Sequence, residues 1–324
     1  MKTPLVTIFG GSGLLGRYAV RAFANAGWRV RAGVRHPNLG QYLMTMGHVG
    51  QIMVAKADVT DADSVAAAMR GADVVVNLVG VLYQSGHQSF EALHVEGAET
   101  VARAAKAIGA RLIHVSAIGA DPDSDSTYAS TKGEGEARIR AVDPNATILR
   151  PSLVFGPEDN FFNRFAGLAR MLPALPLIGG GHTKFQPVFA GDAGDAILKC
   201  ATDAGTQGKT YELGGPAVYS FKQLMEFILR ETGRRRALVP VPFFIASIKA
   251  AFLGMLPKPL LTMDQVRLLK HDTVVSPGAL GLADLGVAPD SIEAVVPAYL
   301  WRFRAKGQYE EPVRDKIIAS SGTR

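Results

Sequence analysis

Ten residues near the start of the chain, IFGGSGLLGR from Ile8 to Arg17, restrict its fold more than any other stretch. The apolar run Leu5 to Phe9 ends directly on glycines, and from Leu14 an Ala-rich pattern continues at helical spacing. Two glycine registers fit this strand-to-helix turn, Gly11-x-Gly13-x-x-Gly16 and Gly10-x-x-Gly13-x-x-Gly16. In both, one glycine permits the tight turn, Gly13 lets backbone approach a pyrophosphate, and Gly16 lets the helix pack on the strand. Free N–H groups and the positive end of the dipole favour phosphate at such a helix N-terminus. The turn therefore predicts a bound dinucleotide, touched by Gly10, Gly11, Ser12, Gly13, Leu14, Leu15, Gly16 and Arg17.

The rest of the first half agrees with this. Short runs rich in Val and Ile at 4–9, 28–34, 51–55, 73–79, 111–116 and 146–150 alternate with helical patterns at 14–26, 62–70, 90–108 and 127–142. That alternation predicts βαβ units and a doubly wound parallel α/β sheet covered on both faces. After Arg150 the chain becomes rich in Pro and Gly, with further helical patterns at 190–203 and 220–232 and a strand at KTYELGG. The expected organisation is a dinucleotide-binding core over 1–155, a return segment 184–214, and a smaller lobe within 156–324 whose last dozen residues fray.

Charge selects the dinucleotide. An NAD site wants an acidic residue about 20 positions after the glycines to hold the ribose hydroxyls, whereas the 2′-phosphate of NADP wants a cation. No Asp or Glu precedes Asp58, while Arg17, Arg21, Arg29, Arg31, Arg35 and Lys56 all do. Arg35 closes RVRAGVR where the acid would stand, and with Arg17 it could fork onto one phosphate, so the expected cofactor is NADPH. Asp58 and Val59 after the third strand, Leu78, Val79 and Gly80 after the fourth, and Pro151 after the sixth complete the expected contacts.

Tyr128 and Lys132 in STYASTKGEGEAR lie four apart, on one face of a helix. An ammonium near a phenol favours the phenolate, which would lower the Tyr128 pKa toward working pH, and Lys132 could also hold the nicotinamide ribose. The pair suits hydride transfer at a carbonyl or alcohol carbon.

Together the glycine motif, ADVTD, Tyr-x-x-x-Lys and RPSLVFGP resemble the extended and atypical short-chain dehydrogenase/reductases over nearly the whole chain. More narrowly, RPSLVFGPEDNFFNRFA, KFQPVFAGD, QVRLLKHDTVVS and VPAYLWRFR resemble the nucleotide-binding accessory subunit of respiratory complex I and its alphaproteobacterial relatives. The broader resemblance implies a Ser or Thr at the end of the fifth strand that polarises a carbonyl. Ala117 holds that position, with Ser116 one residue earlier and turned to the other side. His94 stands where many relatives carry a relay Asn. The narrower resemblance implies a tightly held NADPH with a structural or stabilising role, and partnership with complex I or another membrane-associated assembly.

Composition excludes other classes. The single Cys200 rules out an internal disulfide framework and a cysteine zinc cluster. The net charge of +6 comes with only 8% aromatic residues and no basic run interleaved with them, which argues against nucleic acid. Arg234-Arg235-Arg236 reads as a solvated loop at a helix end, and His182 as a loop residue, so no metal site is expected. Asp192, Asp195 and Lys184 read as a helix cap and a solvated first turn. The apolar stretch Phe243 to Leu256 is too short to span a bilayer and reads as a buried helix of the smaller lobe. Met1 runs almost directly into the first strand without room for a cleavable leader, so the expected place is cytoplasmic, peripheral on the inner face of the membrane.

Two functions compete at this point. One is an NADPH-holding scaffold. The other is an NADPH-dependent reductase with Tyr128 as acid/base, Lys132 as its tuning cation and Ser116 nearby, acting on a quinone-like compound, a ubiquinone-synthesis intermediate or a nucleotide sugar.

Overall fold

The computed structural model describes residues 3–86, 88–254, 261–305 and 307. Seven strands, β1 Leu5–Phe9, β2 Arg29–Val34, β3 Ile52–Lys56, β4 Val74–Asn77, β5 Arg111–Val115, β6 Thr147–Pro151 and β7 Thr210–Leu213, form one sheet. They pair in the order β7-β6-β5-β4-β1-β2-β3, every pairing parallel. This is a doubly wound α/β sheet. Its order reverses between β1 and β4, and ligands of such sheets bind in the crevice at the carboxyl ends beside that point.

Side-chain alternation supplies both cores. Val6 and Ile8 of β1, Val74 and Val76 of β4, and Ile113 and Val115 of β5 face the helices Leu14–Asn25 and Ala190–Thr202. Phe9, Val75 and Leu112 face the opposite layer, formed by Ala62–Met69, Gly97–Ala107 and Thr127–Val142. Burying each of these large side chains contributes roughly 1.5–3 kcal/mol, which favours this register over a one-residue slip that would reverse every face.

The second half carries its own core. Phe155, Phe162, Leu175, Phe227 and Tyr299 pack together under the helices Phe162–Met171 and Phe221–Glu231. The latter starts with a capping box from Ser220 and Gln223. Arg234 and Arg236 are half-buried and tied down, where the sequence suggested a solvated loop. Arg234 donates to the Phe303 carbonyl at 2.9 Å and Arg236 to that of Ala169 at 2.9 Å, so these guanidiniums tie the lobe together.

The apolar helix also departs from expectation. Among its described side chains, helix Phe243–Leu253 fully buries Ala246 and Ala250, while Phe244, Ile248 and Phe252 stand 67%, 58% and 72% exposed at spacing four. Its partner surface is a small cluster with Ile178 and Val266, enough to cover one face alone. Met255 and Leu256, and the chain end expected to fray, lie outside the described residues. No described helix is long and apolar enough to cross a membrane.

Asp192 is neither the helix cap nor solvated. It sits buried in the first turn of Ala190–Thr202, whose N-cap is Phe189, and accepts from the Asp290 amide at 2.8 Å. Burial, with the Asp290 and Asp195 carboxylates adding to it, raises its pKa from 3.8 to about 6. Because the folded value lies above the unfolded one, no penalty exists below pH 3.8; it grows between 3.8 and 6 and is complete above. Asp192→Asn keeps the acceptor, so the variant should exceed the parent by about 1–2 kcal/mol at pH 7 and converge with it below pH 4. Urea unfolding at both pH values measures the difference; an equal gap at both would remove the carboxylate as its cause.

Candidate functional site

The crevice at the β1/β4 reversal is lined by Gly10, Ser12 and Gly13 from the first loop, with Gly33, Val34 and Arg35 closing β2. Ala57, Asp58 and Val59 follow β3, and Leu78 to Val81 follow β4. Nine of the residues singled out in the sequence meet there: Gly10, Ser12, Gly13, Arg35, Asp58, Val59, Leu78, Val79 and Gly80.

The others stand back from it. Gly11 packs on β2, where an added Cβ would meet that of Ala32 at 2.9 Å. Leu14, Leu15 and Gly16 form the first helical turn, with Leu15 packed on the core below. Pro151 ends β6 and accepts from the Ile118 amide at 3.0 Å. Arg17 turns away to Glu158, at 2.9 Å.

Local structure fits the crevice to a phosphate. Helix Leu14–Asn25 begins at Gly13 with no side-chain cap, so its first N–H groups are available to an anion. Arg35 is exposed and has no ion pair among the described residues. Asp58 uses one carboxylate oxygen to hold Thr60, at 3.0 Å to the amide and 2.8 Å to the hydroxyl. The space is the kind a dinucleotide occupies.

Beside the crevice lies a second cluster. Lys132 is buried and donates to the Val115 carbonyl at 3.2 Å, its ammonium pressed against Gly80, where a Cβ would come within 3.1 Å. Burial pulls its pKa down to about 8. His94 is buried too; its Nε2 accepts from the Val81 amide at 3.1 Å, so Nδ1 carries the proton and donates to Thr131 Oγ1 at 3.2 Å. Burial and then the Lys132 charge lower the His94 pKa to about 3, which keeps the ring neutral. With both nitrogens engaged, His94 holds the loop after β4 and has no lone pair left for a relay.

Where the sequence predicted one helix over 90–108, residues Glu91–Glu96 form a π turn leading into Gly97–Ala107. The extra residue pushes the His94 carbonyl against the neighbouring helix, where a Cβ on Gly135 would lie 2.0 Å from it. Single π turns of this kind mark functional sites in many proteins. A periodicity count cannot find one inserted residue.

Tyr128 departs from what its spacing to Lys132 predicts. Its phenol is pushed up to about 12, by burial and by the Asp264 carboxylate, not down toward neutrality. Lys132 has turned to the Val115 carbonyl, and Asp264 accepts from the amides of Thr127 at 2.7 Å and Tyr128 at 3.0 Å. Tyr128 packs edge-on against Phe90 and His94, with centroids at 5.9 and 5.4 Å. Ser116 is buried and its Oγ has no partner among the described residues, a condition shared by both ring nitrogens of His114 and Nδ2 of Asn77. Asn77 and His114 are register partners across β4 and β5, and Ser116 follows at i+2, so the three face the same layer.

The residues missed from sequence were Glu158, Asp264, Tyr42 and His114. Asp264 follows Thr262, whose capping box with Gln265 is a local signal for a helix start. Nothing local marks its bond to a helix 136 residues away. No group of three potential metal ligands occurs among the described residues.

The fold and crevice define a nicotinamide dinucleotide-binding protein with a doubly wound sheet, and residues 10–160 match the family model described as NAD(P)H-binding. The chain is 36% identical to the mitochondrial NADH dehydrogenase (ubiquinone) 1 alpha subcomplex subunit 9 of Arabidopsis thaliana, over 97% of its own length and 81% of that protein. It is 34% identical to the mitochondrial 40 kDa subunit of NADH-ubiquinone oxidoreductase from Neurospora crassa, over 94% and 81% respectively. Among solved structures, an NADPH-dependent quinone oxidoreductase from Escherichia coli complexed with NADPH superimposes with a TM-score of 0.72 at 21% identity, covering 91% of this chain and 99% of that one. That likeness shows the fold alone. The chain belongs to the family of these NADH-ubiquinone oxidoreductase subunits.

Proposed function

We propose that this chain holds NADPH as a structural cofactor and works as an accessory subunit of respiratory complex I or another membrane-associated assembly, on the cytoplasmic face of the inner membrane. The observation that carries the reading is the acid/base pair out of gear beside an intact nucleotide crevice. Burial and the Asp264 carboxylate raise the Tyr128 phenol where a lowered one was expected, Lys132 donates to a backbone carbonyl, and the Ala117 side chain has no group to bond a carbonyl substrate. A nucleotide bound only by the folded state stabilises it by mass action, so a slowly released cofactor serves assembly without reacting. Arg35 supports NADPH over NADH. The exposed Phe244, Ile248 and Phe252 beside Lys249 supply an apolar, cationic face suited to a peripheral contact.

The test is the nucleotide released when the purified protein is denatured. Stoichiometric NADPH that neither exchanges nor reduces a short-chain quinone is the expected result; rapid exchange with quinone-dependent oxidation would replace the scaffold reading with the reductase. Arg35→Ala should weaken NADPH about thirtyfold and leave NADH unchanged, the loss of one charge-assisted phosphate contact. Equal weakening of both nucleotides would refute the assignment of Arg35 to the 2′-phosphate.

A further inference from the structure

Arg17 follows the last glycine of the phosphate loop, yet its guanidinium does not line the crevice. It is engaged on three sides. Nη1 pairs with Glu158 at 2.9 Å, Nε reaches the Gly13 carbonyl at 3.4 Å, and the plane lies over the Tyr42 ring at 5.1 Å. Tyr42 is itself anchored by its hydroxyl, which donates to the Ser12 carbonyl at 2.9 Å.

Glu158 is fixed from behind. Its second oxygen accepts from the Tyr18 hydroxyl at 3.3 Å. Its neighbour Asp159 accepts from the Phe161 and Phe162 amides at 2.8 and 2.6 Å and from the Tyr299 hydroxyl at 2.7 Å. The loop that carries the carboxylate is thus pinned to the smaller lobe. It cannot follow Arg17 into the crevice. Across the same opening, Arg35 faces the crevice with no ion pair among the described residues.

We propose that Glu158 sets nucleotide preference: its carboxylate holds Arg17 out of the crevice and competes with the 2′-phosphate of NADPH for that guanidinium. The inference rests on the NADPH reading above. NADH carries no 2′-phosphate, so it gains nothing from a released Arg17. Glu158 therefore narrows the preference that Arg17 and Arg35 together would give.

Glu158→Gln removes the charge and keeps the shape and an acceptor for Tyr18. It should tighten NADPH about fivefold, the scale of a partly exposed ion pair, and leave NADH unchanged. In an Arg17→Ala background the same substitution should have no effect. The experiment is a titration of the full chain, depleted of nucleotide, with NADPH and with NADH, on the parent, both single variants and the double variant. Glu158→Ala breaks the same pair and carries the same expectation should the Gln variant fold poorly. Two results overturn the proposal and can be told apart. If the parent binds both nucleotides equally, the NADPH reading fails and this inference falls with it. If the parent prefers NADPH but neither Glu158 variant tightens it, Glu158 is no competitor.

Discussion

Gly16→Ala should abolish nucleotide binding and destabilise the fold together. A Cβ at Gly16 would sit 2.2 Å from the Gly10 carbonyl oxygen and 2.7 Å from the backbone of Gly11. These are main-chain atoms of the phosphate loop itself, so no side chain can swing aside, and either the loop or the helix must move. Overpacking of this kind costs about 3 kcal/mol, and a loop that must absorb that strain to regain its binding geometry loses about a hundredfold in affinity. Gly13→Ala provides the contrast. Its Cβ meets only the Gly10 oxygen, at 3.3 Å, and its φ of −73° and ψ of 178° suit any residue. That variant should fold with nearly the stability of the parent and still lose NADPH, because the methyl group occupies the path of the pyrophosphate. Thermal unfolding and nucleotide titration on both proteins separate the effects. Gly16→Ala protein that binds normally would mean that the loop is not the cradle.

The same contrast shows why some of this site was legible in the sequence. Gly13 and Gly16 act through contacts within seven residues, and the β-strands advertise themselves by alternation, since Val6 and Ile8 feed one core and Phe9 the other. Arg35 and Asp58 were found because the parallel sheet places the end of each strand at a known edge. Interactions decided by distant packing were not legible. Asp264 reaches the Tyr128 helix from a different lobe, and it is burial, with this carboxylate adding to it, that reverses the expected shift of the phenol. Glu158 captures Arg17 from 141 positions away, a pairing that no spacing rule encodes. The helix Phe243–Leu253 was read as buried because its apolar residues run all round it. Burial needs a partner on each face, and the structure provides one for the face of Phe243, Ala246 and Ala250 but not for that of Phe244, Ile248 and Phe252.

Lys132→Met should make the protein more stable and a poorer nucleotide binder. The ammonium is buried, with one hydrogen bond to the Val115 carbonyl and the Glu136 carboxylate only partly offsetting the loss of water. Its folded pKa of about 8 lies below the ordinary 10.5. Below pH 8 both folded and unfolded chains carry the proton, and the full burial cost is present. Between 8 and 10.5 the unfolded chain keeps a proton that the folded chain has lost, so the stability of the parent rises with pH across that window. Methionine has similar length and no charge, so the variant should exceed the parent by about 2 kcal/mol at pH 7, less than the full shift implies after allowing for relaxation. The gap should close toward pH 10.5, and subtracting variant from parent cancels the other groups that titrate there. Affinity for NADPH should fall about tenfold, because the ammonium lies against Gly80 at the crevice edge, where it would meet the ribose of the proposed nucleotide. Urea unfolding without nucleotide at pH 7 and pH 10, with a titration at pH 7, reads both. A variant less stable than the parent at pH 7 would make Lys132 a structural tie to Val115; higher stability with weaker binding identifies a buried charge retained for the cofactor at the expense of the fold.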